Sequence, residues 1–210
     1  MAVAEELTEL YPNGRIREKA RRLDGKLDGE ALAYDPEGHL TCRALFKGGL
    51  LEGETVLYDA DGSVTQKLNY QGGQLNGPAF IYIDQRPRLK MPFETGKQEG
   101  EAILCDEAGR IAAKLTYKGG QLEGPSCWLD GNNRVIKKSL YQGGKLNGPA
   151  AEYYPSGRIR RILTYKDNLL HGEELSYEED GKLKERLYYQ NGQLAPAPKA
   201  PASGASGSRG

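Results

Sequence analysis

The sequence predicts an all-β protein: a single elongated antiparallel β-meander of about eight 24-residue β-hairpin repeats. Three observations lead there. The stretch Tyr70-Gln71-Gly72-Gly73-Gln74-Leu75-Asn76-Gly77-Pro78 returns as Tyr117 to Pro125 and as Tyr141 to Pro149. Its last glycine recurs at 29, 53, 77, 100, 124, 148 and 172, in steps of 24 with a single step of 23. Each copy also holds two turn signals. Gly48-Gly49, Gly72-Gly73, Gly119-Gly120 and Gly143-Gly144 suit a two-residue type I′ hairpin, which needs positive φ at both central positions. Pro36-Glu37-Gly38, Ala60-Asp61-Gly62 and Pro155-Ser156-Gly157 read as three-residue loops ending in a bulge glycine.

Taken in order, residues 1–9 carry little signal and read as a helical or frayed leading segment, 10–194 as the repeat domain, and 195–210 as a disordered Pro/Ala/Ser/Gly-rich tail. The loop register sets Tyr34 opposite Leu40, Tyr58 opposite Val64, Cys105 opposite Ile111 and Leu129 opposite Val135. Asp106 then faces Arg110, Asp130 faces Arg134 and Glu178 faces Lys182. Apolar meets apolar and acid meets base, which supports the register. About 16 strands at about 4.8 Å each give a ribbon roughly 70–80 Å long. The fourth repeat lacks one residue, has Arg86-Pro87 where the loop glycine is due, and carries Pro92 in its second strand, so a distorted hairpin is expected there.

Strict alternation assigns an inner face to Val56/Tyr58, Phe80/Tyr82 and Ile103/Cys105 from first strands, with Ala44/Phe46, Val64/Leu68/Tyr70 and Leu115/Tyr117 from second strands. Leu51, Leu75, Leu122 and Leu146 join it only if the glycine after each Leu-x makes a bulge. Cys42, Cys105 and Cys127 fall on the same face and are expected to be buried, free thiols. Cys105 and Cys127 would be about 10 Å apart, beyond disulfide reach.

Composition narrows the function. The charges balance at 29 Lys+Arg and 29 Asp+Glu, which argues against nucleic acid and, more weakly, against a membrane surface as partner. No apolar run is long enough to span a bilayer. Three cysteines without metal-ligand spacing fit a reducing compartment; the cytoplasm is expected, with the periplasm as the alternative where an export signal has been removed. No catalytic, cofactor-binding or metal-binding constellation emerges: His39 and His171 lie in turns of different repeats, and the glycine-rich units lead into strands rather than helices. An enzyme is therefore not expected.

One column stands above this background. Just before the Tyr/Cys/Leu position the copies read Ala33, Leu57, Ile81, Leu104, Trp128, Glu152 and Ser176, a stripe of large apolar residues confined to the middle repeats. In the simple register Ala112 faces Leu104 and Ile136 faces Trp128, so Leu57, Ile81, Leu104, Ala112, Trp128 and Ile136 form a candidate partner-binding set on an outer face. A thin ribbon that partly buries both faces, or a dimer, would explain the same pattern. Arg158, Arg160 and Arg161, with Lys137 and Lys138 one repeat earlier, form a weaker basic candidate.

The pattern Tyr-x-x-Gly-x-Leu-x-Gly-[Glu/Pro], an apolar strand, then Tyr-x-x-x-Gly-x-[Ile/Leu], resembles the MORN-repeat variant family and, within it, the antitoxin YwqK-like proteins. The resemblance spans about residues 10–194 and implies MORN-like hairpin repeats with a binding role. It points to an antitoxin or immunity protein that occludes a cognate toxin or effector protein. A scaffold or membrane-apposed adaptor is the alternative, and the repeats carry no functional residues to transfer.

Overall fold

The computed structural model describes residues 3–198. They form one open antiparallel sheet of 22 strands in a meander, with no helix among the described residues. Six of these strands are two-residue segments; five, such as Leu50–Leu51 and Gln74–Leu75, are split from the strands that follow them. The remaining 16 are the long strands that the repeat predicts.

The leading segment differs from the expectation of a helical or frayed stretch. Ala4–Leu10 is a strand paired with Ile16–Leu23, and its alternation places Leu7 beside Ala20 and Leu10 beside Ile16. Contacts with the neighbouring strand outweigh a weak local signal. At the other end Gln193–Leu194 is the last strand, and Ala195 donates to the Tyr188 carbonyl (2.8 Å). Residues 195–198 have no regular structure, and the rest of the expected disordered tail lies outside the described residues.

Both turn types form. Gly72 and Gly73 take φ of 56° and 81°, the pair that a type I′ turn requires, and Asp167-Asn168 follows with 51° and 72°. These turns stack from repeat to repeat. The Gly73 amide donates to the Leu51 carbonyl (2.9 Å) and the Gly144 amide to that of Leu122 (2.9 Å). In the three-residue loops Asp106 and Asp130 accept two backbone amides each, from Ala108 and Arg110 and from Asn132 and Arg134. Glu178 pairs with Lys184 (3.3 Å), while Lys182 reaches Asp180 (2.7 Å).

The fourth repeat is tighter than expected rather than distorted. Losing one residue turns the three-residue loop into a second two-residue turn, Asp84-Gln85 at φ 50° and 60°, with Ile83 paired to Arg86. Pro92 lies within the strand Arg86–Glu94 and does not interrupt it. Its carbonyl faces the Gln98-Glu99-Gly100 bulge of the next strand, accepting from Glu99 (3.1 Å), so its missing amide falls where the ladder is already broken.

The bulge between paired strands reassigns the faces. Leu57 pairs with Gln66 but Tyr58 pairs with Val64, leaving Thr65 as an extra residue; the same shift follows Leu104 and Trp128. One extra residue inverts alternation beyond it. Val56 and Tyr58 therefore lie on one face with Lys67, whereas Leu68 and Tyr70 lie on the other with Thr55, Leu57 and Leu75. The inner face expected from strict alternation thus divides between two faces. We call the face of Leu57 and Trp128 the stripe face, and that of Val56 and Lys67 the lysine face.

The core is correspondingly thin. It is a column of small residues on the stripe face, including Ala20, Ala31, Ala44, Ala79, Ala102 and Ala150, flanked by the Tyr/Leu column and the stripe. Val56, on the lysine face, is the largest side chain that is fully buried. In a one-layer sheet small side chains sink most readily below their neighbours, although Leu163 is also only 2% exposed. The cysteines are free but half-buried rather than buried. Cys42 shares the stripe face with Leu57, while Cys127, paired with Lys114 and Lys138, lies on the lysine face. Burial pushes the Cys42 thiol up from its ordinary value.

Candidate binding surface

The stripe follows one continuous ladder row across the sheet. Cys42, Leu57, Gln66 and Ile81 pair in sequence, and Leu89, Leu104, Ala113 and Trp128 continue them. Directly paired residues share a face, so Leu57, Ile81, Leu104 and Trp128 are brought together with Leu89 and Ala113 between them. Sequence reasoning missed Leu89: the fourth repeat's missing residue disguised its column. Ala112 and Ile136 are not the cross-strand partners of Leu104 and Trp128. Those are Ala113 and Lys137, because Ala112 and Ile136 are the extra residues of their bulges.

The row's exposure is graded. Ile81 is 37% exposed, Leu57, Leu104 and Trp128 are half-buried, and Ala113 is buried at 4%; Ile136, outside the row, is 39% exposed. The Lys137 ammonium sits 5.2 Å from the Trp128 ring centre, a cation–π contact at the edge of the apolar stretch. Beyond it the row turns ionic through Glu152, Arg161, Ser176 and Glu185. The stripe is thus opposite Tyr58, as the simple register has it, but not opposite every tyrosine. It shares its face with Tyr70, Tyr117 and Tyr141, next to the small-residue core.

The ionic end holds one buried acid. Glu174 is 3% exposed in a column otherwise filled by Ala, Thr, Ser, Leu or Met, and Arg161 Nε donates to its Oε1 (2.6 Å) while Oε2 has no protein partner. Arg160, Arg161, Ser176, Lys184 and Glu185 line a cavity of about 470 Å³ over it. Arg160 and Arg161, from the basic candidate set, meet there. Lys138 lies on the lysine face, so that set is not one patch. The Tyr165 hydroxyl nearby is pushed up, first by burial and then by Glu152.

His39 Nδ1 lies 2.9 Å from Asp35 and His171 Nδ1 3.4 Å from the Asn191 amide, so both histidines are spent on turns. Among the described residues no group of three or more His, Cys, Asp or Glu is placed to hold a metal ion. The arrangement can cover a surface.

No curated protein matches the chain. A porin-like protein from Bacteroides uniformis is similar over 91% of this chain and 92% of that one, at 8% identity and a TM-score of 0.21, too low to bear on fold or function. The family description "MORN repeat variant" matches residues 51–71, 146–167 and 170–191. At those three places the chain carries repeats of the MORN variant family, and the hairpins between them keep the same columns at the same period.

Proposed function

We propose that this is a non-enzymatic protein-binding repeat protein of the antitoxin or immunity type, which neutralises a cognate toxin or effector protein by covering it. The observation that supports this best is the row that holds Leu57, Ile81, Leu89, Leu104 and Trp128, uncharged over the nine strands from Ala33 to Trp128 and ended by Glu18 and Lys137. An exposed apolar strip with a polar rim marks a protein-interaction site, and a one-layer ribbon presents it as a broad, rigid surface. Antitoxin rather than adaptor rests on the resemblance of the repeat pattern to the YwqK-like proteins.

The test is titration of the toxin encoded beside this gene against the parent and Trp128→Ala. Truncating a central aromatic anchor is expected to cost about 2–4 kcal/mol of binding, with a thermal melt close to the parent's. Leu104→Glu is expected to weaken binding as well, but also to lower the melting temperature, because Leu104 borders the buried column. Undiminished binding by Trp128→Ala would remove the stripe from the interface. A neighbouring gene without toxic activity would favour the adaptor reading.

A further inference from the structure

On the lysine face one column of every second strand is basic. Lys19, Arg43, Lys67, Lys90, Lys114 and Lys138 stand in a single ladder row, and Arg186 ends it; Ile162 is the exception. Between them the row holds mostly apolar residues such as Leu32, Val56, Phe80 and Ile103. Bases on alternate strands are about 10 Å apart. The column contains no acid, although the chain has as many acids as bases. Many of the acids are at the edges of the sheet, where Glu52, Glu99 and Glu123 accept turn amides.

The counter-charges on this face are selective. Arg43 pairs with Glu54 (3.3 Å), Lys114 with Glu101 (3.4 Å) and Arg186 with Glu173 (3.2 Å). In that acid column Pro78 replaces Glu beside Lys67, and Pro125 and Pro149 replace it on both sides of Lys138. Lys67, Lys90 and Lys138 make no salt bridge among the described residues. Lys138 Nζ lies instead 5.9 Å from the Tyr153 ring centre.

We infer that the lysine face is a second docking surface, for an acidic protein segment that places carboxylates against Lys67, Lys90 and Lys138. Isolated positive charges on an apolar ladder select spaced carboxylates and set orientation and on-rate. A nucleic-acid backbone is a poorer fit, because Glu54, Glu101 and Glu173 interrupt the positive row and the chain has no net charge. A lipid surface is poorer still, since a twisted sheet lays few repeats on a plane. This surface lies opposite the stripe and is independent of the toxin-binding reading.

The experiment titrates labelled poly-L-glutamate into the parent, the Lys67→Glu/Lys90→Glu/Lys138→Glu variant and Trp128→Ala, at low and physiological salt. The parent is expected to bind, to weaken about tenfold with added salt, and to lose about tenfold or more in the triple variant, while Trp128→Ala binds as the parent does. If the triple variant unfolds, the Lys→Gln triple, checked by circular dichroism, is expected to show the same loss. Equal binding by a folded triple variant, or failure of the parent to bind, overturns the inference. Tighter binding of single-stranded DNA or of phosphatidylserine vesicles than of poly-L-glutamate overturns the assignment to protein.

Discussion

Single residues hold this sheet together at its turns. Gly148 has φ of 100°, and a Cβ there would meet Leu140 Cδ2 at 3.0 Å. Gly148→Ala combines positive-φ strain with that contact and is expected to cost about 1–3 kcal/mol, read as a lower melting temperature. Gly73→Val, at φ 81°, should cost a similar amount through strain alone. The loop aspartates give a pH signature. The Arg110 amide first, and then its guanidinium, hold Asp106 below its usual carboxylate range, and Arg134 does the same for Asp130. A depressed folded pKa adds stability that is complete above the ordinary Asp value of about 4 and is lost as pH falls through the lower folded value. The Asp106→Asn/Asp130→Asn variant should therefore melt below the parent at neutral pH, with the gap closing under strong acid. A constant gap across pH would refute the charge contribution.

At the scale of the hairpin, the link between repeats is a side chain. Where the residue before the bulge glycine is acidic, it caps the next repeat's type I′ turn: Asp28 accepts from Gly48, Glu52 from Gly72, Glu99 from Gly119 and Glu123 from Gly143. Glu123→Ala is expected to cost about 0.5–1.5 kcal/mol, a fall of about 1–6 °C for a chain of this size, with Glu123→Gln recovering most of it. Much of the hairpin was legible in the sequence, because glycine pairs and loop glycines fix turn type and with it the pairing of Tyr58 with Val64 or Cys105 with Ile111. The faces were not. A bulge is one unpaired residue, Thr65 or Ala112, with no composition of its own, yet it inverts the parity of all that follows. That is why the stripe's partners proved to be Ala113 and Lys137, and why the basic row from Lys67 to Lys90 shows only once the ladder is drawn.

The whole molecule is a one-dimensional array in which each hairpin touches mainly its neighbours, so stability is a sum over repeats and interfaces. Excising residues 126–149, one full period, joins Pro125 to Ala150 in the context that Pro149 now provides. The shortened chain is expected to keep a strand-type far-UV circular dichroism spectrum and to melt cooperatively, while losing the stripe's Trp128 and with it toxin binding. Loss of the strand spectrum would mean that stability depends on contacts beyond nearest neighbours.

The backbone bonds that link successive type I′ turns run one way, whereas side chains at the three-residue loops, such as Arg110 to the Gly131 carbonyl, run the other. Gly49 donates to Leu27, Gly73 to Leu51 and Gly120 to Gln98, and the carboxylate caps point in the same sense. At these turns each new repeat brings the amide donors; its predecessor already holds the acceptors. A ribosome releases the chain in that order, so every hairpin emerges beside a finished template, and a nascent chain stopped at any repeat leaves no turn amide waiting. The ribbon can be read as a molecule written in the direction in which it is synthesised.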